Sequence, residues 1–201
     1  MEDNSIEFYI NKFSFLTNKD MINIDFIPSL LKRRMSLLDK TCAHLLNETS
    51  SEDIQNIIYS SQFGEMDCLN KMIEQYSKDK EVSPSLFSAS VHNYPIGFFL
   101  FNTKKAIPYN ALSSMDNTIS SGIIAALISK YDNNLFCYCD IKDNDINAFA
   151  INISKKPKEN SIKYKIKSNA LEKKDNFEDY IKLFNNEINY LSANLYDIER
   201  I

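Results

Sequence analysis

Residues 106–127, AIPYNALSSMDNTISSGIIAAL, decide how this chain is read. Ile107 to Ser114 reads as a strand, the polar run after it as a tight turn, and residues 118–131 as an apolar helix. The helix carries Ser120, Ser121, Gly122, Ala125 and Ala126, small residues that suit close packing. Strand, turn and buried helix together present a side chain at a helix N-terminus. There the aligned peptide dipoles favour negative charge and lower a thiol pKa.

Working outward, residues 5–16 are aromatic and β-branched and predict a first strand or two. Pro28-Ser29 opens a helix in which Leu31, Met35, Leu38, Cys42 and Leu45 recur at spacings of three and four. Ile57-Ile58-Tyr59 is a short buried strand. Phe63-Gly64 then turns the chain into a helix carrying Met66, Leu69, Met72, Ile73 and Tyr76. Residues 81–85 read as a loop, and Ser90 to Phe101 as a buried helix interrupted by Pro95 and Gly97. Beyond the central unit, Leu135 to Asp140 and Ala148 to Ile153 are two more strands. The order strand–helix–strand–helix–helix–strand–helix–strand–strand is that of a layered α/β domain. After Ile153 a polar connector leads to Ile162–Ile166, which alternates like an exposed or edge strand. Phe177–Phe184 is a short amphipathic helix, and Ile188–Ile201 a strand or a docking tail. The division expected is a lobe at 1–153 and a C-terminal extension at 154–201.

Bulk composition narrows the function classes. The chain has 201 residues, 44% apolar and 25% charged, with a net charge of −4. That balance offers no large basic patch for nucleic acid. No apolar run approaches the roughly 18–20 residues that span a bilayer. The acidic start is wrong for a secretory signal, so a cytoplasmic protein is expected. Cys42, Cys68, Cys137 and Cys139 form no disulfide or zinc spacing and read as small buried apolar residues. Neither a metal nor a cofactor is expected.

Four segments, in order, resemble the N-terminal half of β-ketoacyl synthases. KRRMSLLDK at 32–40 is similar to that family's Arg-Arg-Met-Asp helix. IIYSSQFGEM at 57–66 looks like its strand and turn before a dimer-interface helix. VSPSLFSASVHN at 82–93 ends in its Asn before the next helix, and the fourth segment is 106–127. Within the last, Asn117–Gly122 matches a Thr-Ala-Cys-Ser-Ser-Gly-like run and sets Ile119 where the acyl-carrying cysteine stands. The nearest subfamily by resemblance is the short chain-length-factor-like proteins of type II polyketide and aryl polyene synthesis.

The resemblance implies a thiolase-like fold, here a single N-terminal lobe with layered helices, a mixed sheet and a short extension. It implies no catalytic residue in this chain, since the second lobe's two histidines and lysine are also missing. The partner it implies is a full-length ketosynthase in a pseudo-symmetric heterodimer, met transiently by an acyl carrier protein. Ile107, Tyr109, Ala111, Ser113 and Met115 fall where the central strand pairs across the two-fold axis. Phe63 and Met66, with Phe87 nearby, fall where side chains line the acyl tunnel.

Other residues keep two readings. His92 and Asn93 line a pocket, or His92 donates a hydrogen bond to backbone near a helix start. Thr118 and Ser120 border the elbow formed by that strand, turn and helix; Ser120 and Ser121 are nucleophiles of a stand-alone acyl-thioester hydrolase or transferase, or cap the helix, and a third reading of the chain is a purely stabilising scaffold. Lys32-Arg33-Arg34 touches the carrier protein, or is a solvated face. The extension wraps the partner or replaces part of the missing lobe.

Overall fold

The computed structural model describes residues 5–169 and 173–201. One eight-stranded sheet runs through it in the order β3-β2-β4-β5-β1-β6-β8-β7. Its strands are β1 (Ser5–Leu16), β2 (Asn56–Ser60), β3 (Tyr109–Leu112), β4 (Asn133–Lys142), β5 (Asp145–Ser154), β6 (Ile162–Ser168), β7 (Tyr190–Ser192) and β8 (Tyr196–Arg200). Strand β2 pairs in parallel with β3 and β4, and every other pairing is antiparallel. The β4–β5 hairpin turns at Asp143-Asn144, both with positive φ (52° and 65°), the conformation that matches the twist of two-residue hairpins.

Alternation along the strands divides the core. Ile58, Phe136, Phe149 and Ile151 point to one face, and Ile57, Tyr59, Leu135, Cys137, Ala148 and Ala150 to the other. Helices α6 (Thr118–Ile128) and α7 (Phe177–Phe184) cover the first face. Helices α2 (Leu37–Thr49) and α5 (Tyr94–Thr103) cover the second. Because β4 and β5 are sandwiched between helix layers, both are buried at nearly every position and carry unbroken apolar stretches at 135–139 and 148–151.

Several elements differ from the sequence reading. The helix expected to run on from Pro28-Ser29 forms only one turn, α1 (Ser29–Lys32). It restarts as α2 because Ser36 and Asp39 make a reciprocal capping box: Ser36 Oγ accepts from Asp39 N at 2.9 Å and Asp39 Oδ2 accepts from Ser36 N at 3.0 Å. Helix α3 spans Met66–Asp79 and buries none of its residues. Pro84, assigned to a loop, opens a short helix α4 (Pro84–Ala89). Pro95 does not interrupt α5 but lies in its first turn, where its fixed φ fits and no N–H bond is lost. That helix is buried on one side only, since Phe101 is 81% exposed. Strand β6 is not an edge; it lies between β1 and β8. Residues 188–201 form the β7–β8 hairpin rather than one strand or a tail. Residues 154–201 thus add three strands to the one sheet, and Tyr180, Leu183 and Phe184 of α7 enter the core on the α6 face.

Three of the four cysteines, Cys42, Cys137 and Cys139, are buried in that core, and Cys68 is half-buried; all are free thiols. No helix of the described residues is long and apolar enough to cross a membrane.

Candidate functional site

Strand β3 leads into the elbow through Ser113 and Ser114. Met115 then adopts φ 52°, a left-handed conformation unusual for a side-chain-bearing residue, and its side chain is 76% exposed. Met115–Asn117 form a single 3-10 turn before α6. Thr118 locks this turn: its Oγ1 donates to Met115 O at 2.7 Å and accepts from Ser114 N at 3.0 Å. Ile119, in the first turn of α6, is 2% exposed and belongs to the core cluster. Three residues on, Gly122 brings α6 close enough to the sheet that a Cβ there would lie 2.2 Å from Phe136 Cε2.

Ser120 neither caps α6 nor stands free. Its backbone N–H donates to Asp175 Oδ2 at 2.7 Å, its hydroxyl donates to the same carboxylate, and it lies 3.0 Å from the Tyr180 hydroxyl. Tyr180 also donates to Asp175 at 3.2 Å and meets the Tyr196 hydroxyl at 3.1 Å. The cap of α6 is therefore Asp175, delivered from the C-terminal segment, because a carboxylate satisfies an orphan helix N–H better than a serine inside the first turn. Burial raises the Asp175 carboxyl above the ordinary range, and the Ser120 and Tyr180 bonds oppose that rise. Beside it lies a pocket of about 170 Å³ lined by Gln62, Thr118, Ile119, Tyr138 and Phe177. A Lys174–Asp116 ion pair of 2.9 Å also joins the C-terminal segment to the elbow.

His92 is committed elsewhere. Its Nε2 lies 3.1 Å from Leu112 O, so the nitrogen carries a proton and donates to the end of β3. The ring stands over Gly64, where a Cβ would come within 2.7 Å of Nδ1; φ +57° at Gly64 also demands glycine. The ring thus ties the segment before α5 to the end of β3. Among the described residues no hydrogen bond links His92 to Ser120. Asn93 precedes α5 without a side-chain cap, and its Nδ2 lies 3.5 Å from the Tyr109 hydroxyl.

Phe63 sits in the β2–α3 loop, which is built on a buried carboxylate that sequence reading missed. Asp140, 4% exposed, accepts from Ser61 Oγ at 2.6 Å, Gln62 N at 2.8 Å, Phe63 N at 3.1 Å and Tyr138 Oη at 2.8 Å. This leaves the Phe63 side chain 36% exposed, with Met66 at 42% on α3 and Phe87 at 60% on α4. An acid closing a buried apolar strand was the available signal for Asp140. Asp175, within a charged loop, had none.

The edge of the sheet completes the picture. Strand β3 bonds β2 on one side, and its other side pairs with no strand among the described residues. Beside it an open groove of about 370 Å³ is lined by Val91, Tyr94, Gly97, Phe98, Phe101 and Tyr109. Ile107 precedes β3, Tyr109 and Ala111 are half-buried on it, and Ser113 Oγ donates to Gln62 O at 3.4 Å just beyond it.

Two solved structures share this architecture. The ketosynthase (ApeO) in complex with its chain length factor (ApeC) from Xenorhabdus doucetiae matches with a TM-score of 0.72 and 14% identity, over 97% of this chain and 100% of that one. A β-ketoacyl synthase from Burkholderia phymatum matches with a TM-score of 0.53 and 10% identity, over 75% of this chain. The second match covers 52% of the synthase, so this chain spans about half its length. At such identities the likeness is one of fold, and it bears out the thiolase-like α/β lobe expected from the sequence. No curated protein matches the chain. The family model for the β-ketoacyl synthase N-terminal domain matches residues 11–140, from within β1 through the elbow to the Asp140 carboxylate on β4. With the elbow, the edge strand and that matched segment in place, the chain belongs to the β-ketoacyl synthase N-terminal domain family.

Proposed function

We propose that this chain is a non-catalytic, chain-length-factor-like subunit that pairs with a full-length ketosynthase and completes or limits its acyl tunnel. The observation that carries the reading is the open edge of β3 beside the apolar groove at Val91, Phe98, Phe101 and Tyr109. An edge strand offers a row of backbone donors and acceptors, and a neighbouring apolar surface gains from being covered. The similarity in fold to a ketosynthase–chain length factor complex supports the same reading. In it, β3 with Ile107, Tyr109, Ala111, Ser113 and Met115 meets the ketosynthase, which supplies the reactive cysteine and histidines. Phe63 and Met66, with Phe87 on α4, line the far end of the tunnel, and an acyl carrier protein visits the assembled pair. The lobe at 1–153 supplies the interface, and the segment at 154–201 extends the sheet with β6, β7 and β8 and packs α7 on the α6 face.

The elbow supports the absence of acyl-transfer chemistry in this chain. Ile119 offers no nucleophile. The Ser120 hydroxyl is buried in a closed network with Asp175 and Tyr180, and no histidine bonds to it among the described residues.

The test is co-expression with a full-length ketosynthase of the same source, tagging only this chain. A stable 1:1 complex that condenses malonyl units, while this chain alone is inert, is the expected result. A soluble monomer or homodimer without affinity for the ketosynthase, or turnover of acyl thioesters by this chain alone, overturns the reading.

A further inference from the structure

The root of α3 holds two buried carboxyl groups that the proposed function does not use. Asp39 is 2% and Glu65 5% exposed, and the two carboxyl groups lie close enough to perturb each other's charge. Ser36 bridges them: its hydroxyl donates to Glu65 Oε1 at 2.7 Å and accepts from Asp39 N at 2.9 Å. Asp39 Oδ2 accepts from Ser36 N, but Asp39 Oδ1 is buried and no donor among the described residues reaches it. Two ionised carboxylates have no hydrogen to place between them, and a buried unpaired oxygen is expensive. One proton held between the acids supplies the missing donor.

We propose that Asp39 and Glu65 share a single proton, and that this proton fastens the start of α3 to α2 as a pH-sensitive latch. Helix α3 buries none of its own residues fully, and beyond this root it is held by half-buried contacts such as Ser83 N to Gln75 Oε1. The latch is a property of this chain alone and does not rest on any partner.

The surrounding groups leave the pair to titrate by itself. Lys40 on α2 is the cation acting on Asp39. The other titratable neighbours are Cys42 on α2, Cys68 on α3, Tyr94 on α5 and Cys139 on β4, and burial pushes each of them up, so they stay neutral near pH 7. Burial is also the main influence on the pair, raising Asp39 to about 6 and Glu65 to about 7. A carboxyl raised on folding makes the closed state bind more protons than the open one. The closed form is thus favoured at low pH and loses that advantage as pH rises through the folded values.

Amide hydrogen exchange of the full chain between pH 5 and 8 tests this, with intrinsic base catalysis divided out and β4 amides as the internal reference. Protection of Met66–Glu74 amides is expected to fall about tenfold per pH unit between 5 and 7 and then level off. Glu65→Gln keeps a donor facing Asp39 and flattens the profile. Infrared spectroscopy of the unmodified chain supplies a check that needs no variant: the carbonyl stretch of a protonated carboxylic acid persists at pH 6 and fades by pH 8. Equal α3 protection at pH 5 and 7, a Glu65→Gln chain with the native pH dependence, or no protonated carboxyl band at pH 6 overturns the latch.

Discussion

Replacing Gly122 by alanine sets two effects of opposite sign against each other. In the middle of a helix, alanine gains about 0.5–1 kcal/mol over glycine because the unfolded glycine has more freedom to lose. At this position the new methyl carbon lies 2.2 Å from Phe136 Cε2, 2.7 Å from Cζ and 3.0 Å from Ser60 Oγ. Phe136 is fully buried and stands edge-on to Phe149 with centroids 5.7 Å apart, so the ring has nowhere to retreat. Overpacking a tight core costs about 1–3 kcal/mol, and a contact this short belongs at the upper end. The net expectation is a loss of about 2 kcal/mol, which for a domain of this size lowers Tm by about 4–8 °C. Calorimetry, with urea unfolding monitored by circular dichroism, measures it. A Gly122→Ala chain with an unchanged or higher midpoint would refute the claim that α6 is seated on the sheet through this glycine.

Asp140→Ala strips the acceptor from four buried or half-buried donors and should lower unfolding free energy by about 3 kcal/mol, read from a urea midpoint. Unchanged stability there would mean that the 61–64 loop is held by something else. Phe101→Asp puts a charge on an 81%-exposed groove residue, so it should leave the circular dichroism spectrum intact and weaken ketosynthase capture at least about tenfold. Phe63→Ala in the complex should shift products to longer chains by mass spectrometry, whereas unchanged lengths would reduce the chain to a stabilising partner. Ser120→Ala should produce no change in acyl-thioester turnover but should lower stability by about 1–2 kcal/mol, because it removes the hydroxyl's contacts with Asp175 and Tyr180.

The layered α/β class was legible because residues 135–139 of β4 and 148–151 of β5 are unbroken apolar runs and α6 is apolar from Ile123 onward. Those patterns depend on burial alone. What escaped depended on local chemistry or distant pairing. The Ser36–Asp39 capping box was present in the sequence, but the apolar periodicity through Met35 ran across it and joined two helices into one. The alternation of β6 reads as an edge strand, because nothing local tells that β8 pairs with its other side. At the site, Ile119 and His92 were found from their motifs, while Asp175 reaches Ser120 across a sequence separation that no spacing rule covers. Asp39 and Glu65 were likewise invisible as a pair until Ser36 brought α2 and the loop before α3 together.

The central place of β1 has a consequence for how the protein is made. Its twelve residues are made well before both of its neighbours: β5 begins at residue 145 and β6 at residue 162. Until those strands are made, β1, with Phe8, Ile10 and Leu16 destined for the core, has no native partner to bond. Pairings so distant in sequence form slowly, and unpaired apolar strands are where newly made chains stick to one another. Biogenesis of this chain therefore favours a chaperone that holds residues 5–16 until the later strands emerge.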